Sequence, residues 1–375
     1  MRMIDLANLP SDARLYVRPT AFVDAPFGFD GQVARLAGGM VWFAAVELIA
    51  RVGARRVVQT LIPVERLDRA REALPAGLRA RFDGLWSRLV AGRPALELGT
   101  RTLRFDGPSV MGIVNVTPDS FSDAGRLADA EAAVAAAVDM AAAGAAIIDV
   151  GAESTRPGAK PVWEGDEIAR LEPVLRRLAG ADLLVSVDTR KTAVMQAALG
   201  LGARIVNDVS ALTYDEGALP LVAQAGCPVV LMHHRGDPQT MQDDPRYDDV
   251  LLDVFDWLET RIEACVAAGV TRERIIADPG IGFGKTLRHN LDLLNGLSLF
   301  HGLGCPILLG VSRKRFIGAL SNEAPADRRL GGSVAVATAA LAQGVQLLRV
   351  HDVPETVQAM RVWRGLRDAA LTPPA

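Results

Sequence analysis

Cysteine is scarce in this chain: only Cys227, Cys265 and Cys305 occur. They lie far apart, are odd in number and form no Cys-x-x-Cys pair, so we expect neither a disulfide framework nor a cysteine zinc site. The adjacent His233 and His234 are a poor metal pair, because neighbouring residues of a strand point to opposite faces and no third ligand is spaced nearby. The sequence therefore gives little support for zinc.

Long apolar runs are missing as well. A membrane-spanning helix needs roughly 18 or more apolar residues in succession. The longest candidate, 40–50, contains Glu47 and is followed by Arg51. The opening MRMIDLANLP has no long apolar core, so we expect no secretory signal. These observations favour a cytoplasmic protein without a membrane partner.

Neither sign of charge dominates. The 41 Lys and Arg residues nearly balance the 44 Asp and Glu residues, which leaves a net charge of −3. This balance gives no broad electrostatic reason to expect a nucleic-acid partner. The 375 residues are half hydrophobic and 23% charged, as is ordinary for a globular protein of one large domain or two.

Residues 1–94 differ in texture from the rest and contain no catalytic motif. Helix-like periodicity at 33–52, 66–74 and 78–90, with a possible strand at 56–61, favours a small α/β domain. Its role is open, and we expect it to support stability or assembly rather than chemistry. Five arginines of this region are most simply interpreted as a solvated helical face: Arg66, Arg69, Arg71, Arg79 and Arg81.

From residue 95 to 375 the pattern predicts a (β/α)₈ barrel, closed at its bottom by a hairpin at 95–105. Eight strand-like runs alternate with helical stretches over about 260 residues, a spacing more even than a doubly wound open sheet requires. The strands are expected at 110–114, 146–150, 183–187, 204–206, 228–232, 274–277, 306–310 and 346–350. Helices are expected near 128–143, 164–179, 190–200, 215–225, 248–268, 288–296, 326–343 and 354–370.

Every predicted strand delivers polar or charged residues at its carboxyl end, where active sites of this fold lie. A single Asp in such a place is more often a helix N-cap than a ligand, but eight polar ends in register are hard to explain by capping. The turn at 280–286 imitates a phosphate loop, yet Pro279 occupies the first glycine position of the Walker pattern. We therefore interpret its glycines as a tight turn.

The mixture of residues at this mouth indicates a substrate. Carboxylates and amides suit a flat heterocycle with adjacent N–H donors, as in guanine or pterin. Arg349 and His351 suit a diphosphate, and the side-chain oxygen of Asn115 suits a Mg²⁺ ion carried by that diphosphate. The residues alone thus indicate a barrel that binds a heterocycle joined to a diphosphate.

Several motifs at this mouth closely resemble those of the dihydropteroate synthase family, in the family's order. They are N-V-T-P-D-S-F-S-D at 115–123, E-S-T-R-P-G-A at 153–159, S-V-D-T at 186–189, N-D at 207–208, D-P-G-I-G-F-G-K at 278–285, S-R-K at 312–314 and R-V-H-D at 349–352. The resemblance implies a Mg²⁺-dependent transferase that condenses 6-hydroxymethyl-7,8-dihydropterin diphosphate with para-aminobenzoate. The products would be 7,8-dihydropteroate and pyrophosphate, in folate biosynthesis. A homodimer and inhibition by sulfonamides are expected with it.

By this resemblance each site residue receives a role. The pterin would be held by Asp188, Asn207, Met232, Asp278 and Lys314. The diphosphate would be held by Asn115, Arg349 and His351, with Asn115 also on the metal. The aminobenzoate would be bordered by Thr155, Arg156, Pro157, Phe283 and Ser312. The catalytic group would be Asp188, Asp278, Lys314, Arg349 and His351.

Two alternatives share the expected barrel. One is a pterin-binding methyltransferase domain, in which the Ser-Thr-Arg-Pro motif at 154–157 and the Arg-Val-His-Asp motif at 349–352 are not expected. The other is an inactive pterin-binding scaffold, against which the intact Asn115, Arg349 and His351 argue. A synthesis assay with both substrates and Mg²⁺ separates all three.

Overall fold

The protein was analysed as a computed structural model, which describes residues 6–116, 123–153, 161–236 and 241–372. The N-terminal region, residues 6–94, builds an antiparallel sheet covered by two helices. Its strands are β1 (Arg14–Val23), β2 (Ala34–Arg35), β3 (Trp42–Val52) and β4 (Arg55–Pro63), and its helices are α1 (Leu67–Glu72) and α2 (Ala76–Val90). Strand β3 pairs with all three other strands. The expected α/β character of this region is confirmed.

The expectation of a helix over 33–52 is wrong, because most of this stretch is strand β3. Residues 46–50 of β3 are buried without a break, since the sheet is covered on both sides. A strand buried on both faces loses the alternation that identifies strands in sequence. The strand expected at 56–61 lies within β4, whereas β1 was not predicted.

The rest of the chain forms the expected barrel. After the hairpin β5 (Leu96–Leu98) and β6 (Arg101–Leu103), eight parallel strands follow: β7 (Ser109–Asn115), β8 (Ile147–Gly151), β9 (Val185–Asp188), β10 (Ile205–Asp208), β11 (Val229–Met232), β12 (Ile275–Asp278), β13 (Leu308–Gly310) and β14 (Leu347–Val350). A parallel bridge between Ala277 and Ile307 connects β12 to the start of β13, which closes the ring. Each strand overlaps its predicted position.

The barrel strands are separated by helices, as the sequence predicts. These are α3 (Asp123–Ala143), α4 (Glu164–Gly180), α5 (Thr192–Gly200), α6 (Ala218–Ala225), α7 (Val250–Ala267), α8 (Leu287–Asn295), α9 (Arg315–Leu320), α10 (Leu330–Leu341) and α11 (Val353–Leu371). A 3₁₀ helix, Leu297–Leu303, follows α8 and is buried throughout. None of the helices described is long and apolar enough to cross a membrane.

The bottom of the barrel has its own apolar cluster. Side chains of the hairpin segment, Leu96, Leu98, Leu103 and Phe105, pack with one residue at or near the amino-terminal end of each barrel strand. These strand residues are Met111, Ile147, Leu184, Ile205, Val230, Ile276, Leu308 and Leu347. The hairpin therefore closes the bottom, as predicted, and the opposite end of the barrel remains as the mouth.

The N-terminal region packs against α7 and the 3₁₀ helix, and one apolar core runs from Leu9 to Val357. The solvated-face interpretation holds for Arg66, whose side chain is 72% exposed, but is wrong for Arg81. Arg81 donates to a carboxylate oxygen of Glu259 on α7 at 3.0 Å and to the carbonyl of Leu15 at 2.8 Å. The division into domains at residue 94 stays a prediction.

Candidate active site

The centre of the mouth is an arginine shared by two carboxylates. Arg349, near the end of β14, donates from Nε to Asp149 Oδ2 and from Nη2 to Asp188 Oδ2, each at 2.6 Å. Asp149 is fully buried and lies in β8, and Asp188 ends β9 with 7% of its surface exposed. These three side chains come from strands 1 to 3 positions apart around the ring, so the parallel register brings them together.

Asn207 of β10 extends this cluster by donating from Nδ2 to Asp149 Oδ2 at 2.9 Å. The second oxygen of each carboxylate, Asp149 Oδ1 and Asp188 Oδ1, is buried and has no hydrogen-bond partner among the described residues. A buried acceptor without a donor is costly, so two of them side by side indicate a ligand with N–H groups. The cluster is therefore a candidate receptor for a donor-rich heterocycle.

Burial also shapes the charge of this cluster. Desolvation raises the pKa of Asp188 to about 7, against the opposing attraction of Arg349 and with added repulsion from Asp149 and Asp208. Burial opposes the rise, but the negative charges of Asp149 and Asp188 raise the pKa of Arg349. The pKa values of Asp188 and Arg349 can both be raised, because one guanidinium cannot neutralise two carboxylates. Asp188 therefore ionises close to neutral pH, and a ligand with N–H donors would favour its charged form.

A second acid, Asp278, ends β12 and is 5% exposed. Its Oδ1 accepts a hydrogen bond from the backbone N–H of Gly280 at 2.7 Å, which holds the carboxylate across the turn. Burial raises the pKa of Asp278, while the charge of Lys314 opposes the shift. Asp278 is thus a fixed carboxylate at the mouth, and the turn positions it.

Lys314 follows β13, and its side chain reaches the loop after β12. Its Nζ donates to the carbonyl of Ile281 and lies 4.8 Å from the centre of the Phe283 ring. Burial lowers the pKa of Lys314 to about 8, and Asp278 limits the fall. The ammonium is therefore held beside the same turn that carries Phe283.

The remaining predicted residues form the rim. The Ser312 hydroxyl accepts from the backbone N–H of His351 at 3.2 Å and lies 3.1 Å from His351 Nδ1. Met232 is buried at the end of β11, and Asn115 is exposed at the end of β7. The structure thus brings ten predicted site residues to one mouth. Thr155, Arg156 and Pro157 lie outside the described residues.

The turn after β12 is built by glycines. Gly280, Gly282 and Gly284 have φ values of 66°, 86° and 64°, in the left-handed region that favours glycine. A Cβ on Gly280 would lie 1.8 Å from the carbonyl oxygen of His233, and one on Gly284 would lie 2.3 Å from that of Arg235. The tight-turn interpretation is thus confirmed, and the turn packs closely against the loop after β11.

Two residues that the sequence analysis did not place in the site support it. Asp149 connects Arg349 to Asn207; its signal in the sequence is an acidic residue near the end of the second strand-like run, to which no role was assigned. Lys285 is buried and its Nζ donates to the carbonyls of Gly280 at 2.9 Å and Phe283 at 3.0 Å. It also lies 2.9 Å from His233 Nδ1, and burial lowers the pKa of Lys285 well below its ordinary value.

Another buried ionic group holds the start of the loop after β8. Lys191 Nζ binds Glu153 and lies 2.5 Å from Glu167 Oε2, while Thr189 donates to the other oxygen of Glu167 at 2.7 Å. Arg190 donates to Glu153 at 2.9 Å. Glu153 begins the motif predicted to border the aminobenzoate, so the group ties that motif to the loop after β9.

The comparisons with known proteins agree with this geometry. The family model "Pterin binding enzyme" matches residues 111–351. The dihydropteroate synthase of Neisseria meningitidis serogroup B is 48% identical over 280 residues, which cover 73% of this chain and 98% of that protein. The Yersinia pestis dihydropteroate synthase in a sulfonamide drug complex has 46% identity and a TM-score of 0.69, covering 73% of this chain and 100% of that one.

A Xanthomonas albilineans dihydropteroate synthase with 4-aminobenzoic acid has 47% identity and a TM-score of 0.68. The match covers 73% of this chain and 98% of that one. Nearly the whole of each relative is therefore matched by the barrel part of this chain, and residues before 111 lie outside the family model. The chain belongs to the dihydropteroate synthase family of pterin-binding enzymes.

Proposed function

We propose that the protein is a dihydropteroate synthase, which joins 6-hydroxymethyl-7,8-dihydropterin diphosphate to para-aminobenzoate and releases pyrophosphate. The observation that carries this proposal is the pair of buried carboxylate oxygens on Asp149 and Asp188, beside Arg349, for which the described part of the chain offers no hydrogen-bond donor. The pterin ring offers adjacent N–H donors to such oxygens, and the diphosphate suits a partly exposed guanidinium. Family membership supports the same reaction.

The pterin lies among Asp188, Asn207, Met232, Asp278 and Lys314 in this proposal. Asp278 is buried and held by one N–H bond, so its other oxygen is suited to accept from the ring. Charge-assisted bonds to buried carboxylates are stronger than neutral ones, which gives the site its selectivity for a donor-rich edge. The Lys314 ammonium is suited to donate a hydrogen bond to an acceptor oxygen or nitrogen of the ring.

The diphosphate is bound by Arg349, His351 and Asn115. A Mg²⁺ ion carried by the diphosphate fits this end, because the Asn115 side chain is exposed at the strand end and offers a hard oxygen donor. No group of three acidic, histidine or cysteine side chains within the described ranges forms a metal cage. A single protein ligand completed by phosphate and water oxygens matches the ordinary habit of Mg²⁺. When bound, the ion would supply positive charge to the leaving group.

The reaction is a substitution at the exocyclic methylene carbon. The C–O bond to the diphosphate breaks, and the cation left on the methylene is shared with the pterin ring. Asp278 and Asp188 stabilise that cation, while Arg349 and His351 stabilise the departing anion. The amine nitrogen of aminobenzoate then forms the C–N bond and loses one proton. An arylamine is neutral near pH 7, so its attack needs no strong general base.

Aminobenzoate enters beside Phe283 and Ser312, with Thr155, Arg156 and Pro157 on the facing loop. A sulfonamide drug, which has the same aniline end, competes there; the Yersinia pestis dihydropteroate synthase forms such a sulfonamide complex. The enzyme acts in the cytoplasm as a homodimer. Sedimentation at several protein concentrations tests the dimer.

The reaction is tested by incubating the protein with both substrates and Mg²⁺ and following dihydropteroate and pyrophosphate together. Equal amounts of the two products are expected, and chelation of Mg²⁺ should suppress them. A sulfonamide should raise the KM for aminobenzoate and leave the maximal rate unchanged. Tight pterin binding without either product would instead indicate a binding protein.

A further inference from the structure

The N-terminal region meets the barrel through a line of ion pairs along α7. The acidic residues follow helical spacing and alternate with the apolar residues that α7 buries. Each has an arginine partner from the N-terminal region, so the two rows match in charge along the whole helix. The pairs are Asp249–Arg56, Asp253–Arg51, Asp256–Arg14, Glu259–Arg81 and Glu263–Arg88.

The two pairs at the amino end of α7 have an additional role, because they also hold the end of the loop that connects the mouth to this helix. Arg56 binds both oxygens of Asp249, at 2.6 and 3.1 Å, and Asp249 caps α7 by accepting from the N–H of Leu252. Arg51 donates to Asp253 Oδ1 at 2.5 Å. Asp253 Oδ2 in turn accepts the backbone N–H groups of residues 248 and 249, at 3.0 and 3.1 Å.

We infer that Arg51 and Arg56 of the N-terminal region are positioning residues for the aminobenzoate side of the active site. The inference rests on the proposed function. The arginines act through the loop between β11, the fifth strand of the barrel, and α7; residues 233–236 and 241–249 of it are here called the strand-five loop. Its last residues are fixed by Asp249 and Asp253, which these arginines hold from the outside. The role is thus exerted through the loop and not by contact with substrate.

From there the loop reaches the glycine turn directly. The Tyr247 hydroxyl donates to the carbonyl of Gly284 at 2.9 Å, and Gln242 Nε2 donates to the carbonyl of Gly282 at 2.5 Å. The guanidinium of Arg235 lies 4.9 Å from the centre of the Tyr247 ring. Three side chains of the loop therefore hold the turn or one another.

The turn is the element on which Phe283 and Lys314 depend. The carbonyl of Ile281 accepts a hydrogen bond from the Lys314 ammonium, and the backbone N–H of Gly280 donates one to Asp278. Backbone contacts of Gly280 and Gly284 with the strand-five loop leave no room for a Cβ, so a displacement of the loop displaces the turn. Release of Arg51 and Arg56 therefore loosens the aminobenzoate pocket without removing any group that touches substrate.

The test uses the full chain with Arg51→Gln and Arg56→Gln together, beside Arg88→Gln as the matched control. Arg88 belongs to the same row, has a similar exposed fraction to Arg56 (32% against 29%), and pairs with Glu263 at the far end of α7. In the double variant, kcat/KM for aminobenzoate should fall about tenfold, chiefly through KM, because a loosened pocket loses binding common to the ground and transition states. The Arg88→Gln control should retain the wild-type kinetic constants. When Arg51→Gln is kept and Arg56→Lys replaces Arg56→Gln, part of the lost kcat/KM should be recovered.

Hydrogen exchange gives a readout that does not depend on activity. Amides of the turn at 280–284 and of 241–249 should exchange faster in the double variant and at the normal rate in the Arg88→Gln protein. Equal kinetic constants in all three proteins, or equal acceleration of exchange in both variants, would overturn the inference. A wild-type protein without synthase activity would overturn the proposed function instead, and the exchange experiment would still decide the coupling.

Discussion

At the scale of single residues, a substitution of Asp278 tests whether this residue only forms a turn or also binds the pterin. Asp278→Asn keeps the size and can retain the bond from the N–H of Gly280, so the fold should survive. It places an NH₂ donor against a ring donor and removes a negative charge beside the forming cation. We expect a loss on the order of 3 kcal/mol, or roughly a hundredfold in rate.

The steady-state rate, the affinity for pterin diphosphate and the melting temperature of this variant should be measured together. A folded variant with near-normal rate and affinity would remove Asp278 from the site. The same measurements on Asp208→Asn serve as a contrast. Asp208 is fully buried and accepts from Ser210 and Leu212 within its own loop, so its replacement should lower stability first.

The two shifted ionisations at the mouth predict a narrow pH optimum. Burial raises the pKa of Asp188 to about 7, so this carboxylate gains its charge only as the pH rises through that value. Burial lowers the pKa of Lys314 to about 8, so the ammonium loses its charge as the pH rises further. Since kcat/KM reports the free enzyme, its value for pterin diphosphate should rise through about 7 and fall through about 8.

The alkaline limb of this profile should move upward in Lys314→Arg, because a guanidinium stays charged. The acidic limb should be unchanged in that variant, which separates the two groups. A profile that is flat from about pH 6 to about pH 9 would show that neither ionisation controls substrate capture.

At the scale of elements, the sequence predicted the barrel strands well and the N-terminal strands poorly. The barrel strands are short apolar runs that end in polar loops, so periodicity and turn residues agree. Strand β3 lacks alternation because it is covered on both sides, and β1 carries Pro19, which argues against a strand. The predicted site residues came from strand ends and the loops after them, whereas Asp149 lies two residues before the end of β8, where its direction depends on the barrel register.

The hairpin below the barrel offers a prediction on stability without function. Phe105 is 1% exposed and packs in the bottom apolar cluster, at the end of the barrel opposite to the mouth. Phe105→Ala should lower the free energy of unfolding by about 3 to 5 kcal/mol, because it leaves a cavity. The activity of the folded fraction should stay unchanged.

Denaturant unfolding and single-temperature kinetics check this prediction, with Arg104→Ala as the neighbouring control. Arg104 is 69% exposed and pairs only with Asp106 in the described contacts, so its loss should leave the stability essentially unchanged. A Phe105→Ala protein with impaired kinetics at full folding would mean that the bottom cluster also shapes the mouth.

At the scale of the whole molecule, the N-terminal region packs against the barrel through apolar contacts and ion pairs. Their apolar cores are continuous, and Tyr16 of β1 packs edge-on against Phe255 of α7 at 5.7 Å between ring centres. The Tyr16 hydroxyl also donates to Asp256 at 2.7 Å, within the row of ion pairs along α7. Neither part can leave the other without exposing apolar surface and half-buried charges.

We therefore expect a single calorimetric unfolding transition for the full chain, although 375 residues usually allow more than one. The calorimetric and van't Hoff enthalpies should agree if the protein unfolds as one unit. Added salt should lower the melting temperature slightly without splitting the transition, since the ion pairs are only partly screened. Two separated transitions, with the N-terminal region melting first, would show instead that residues 6–94 fold as an independent domain and dock through weaker contacts.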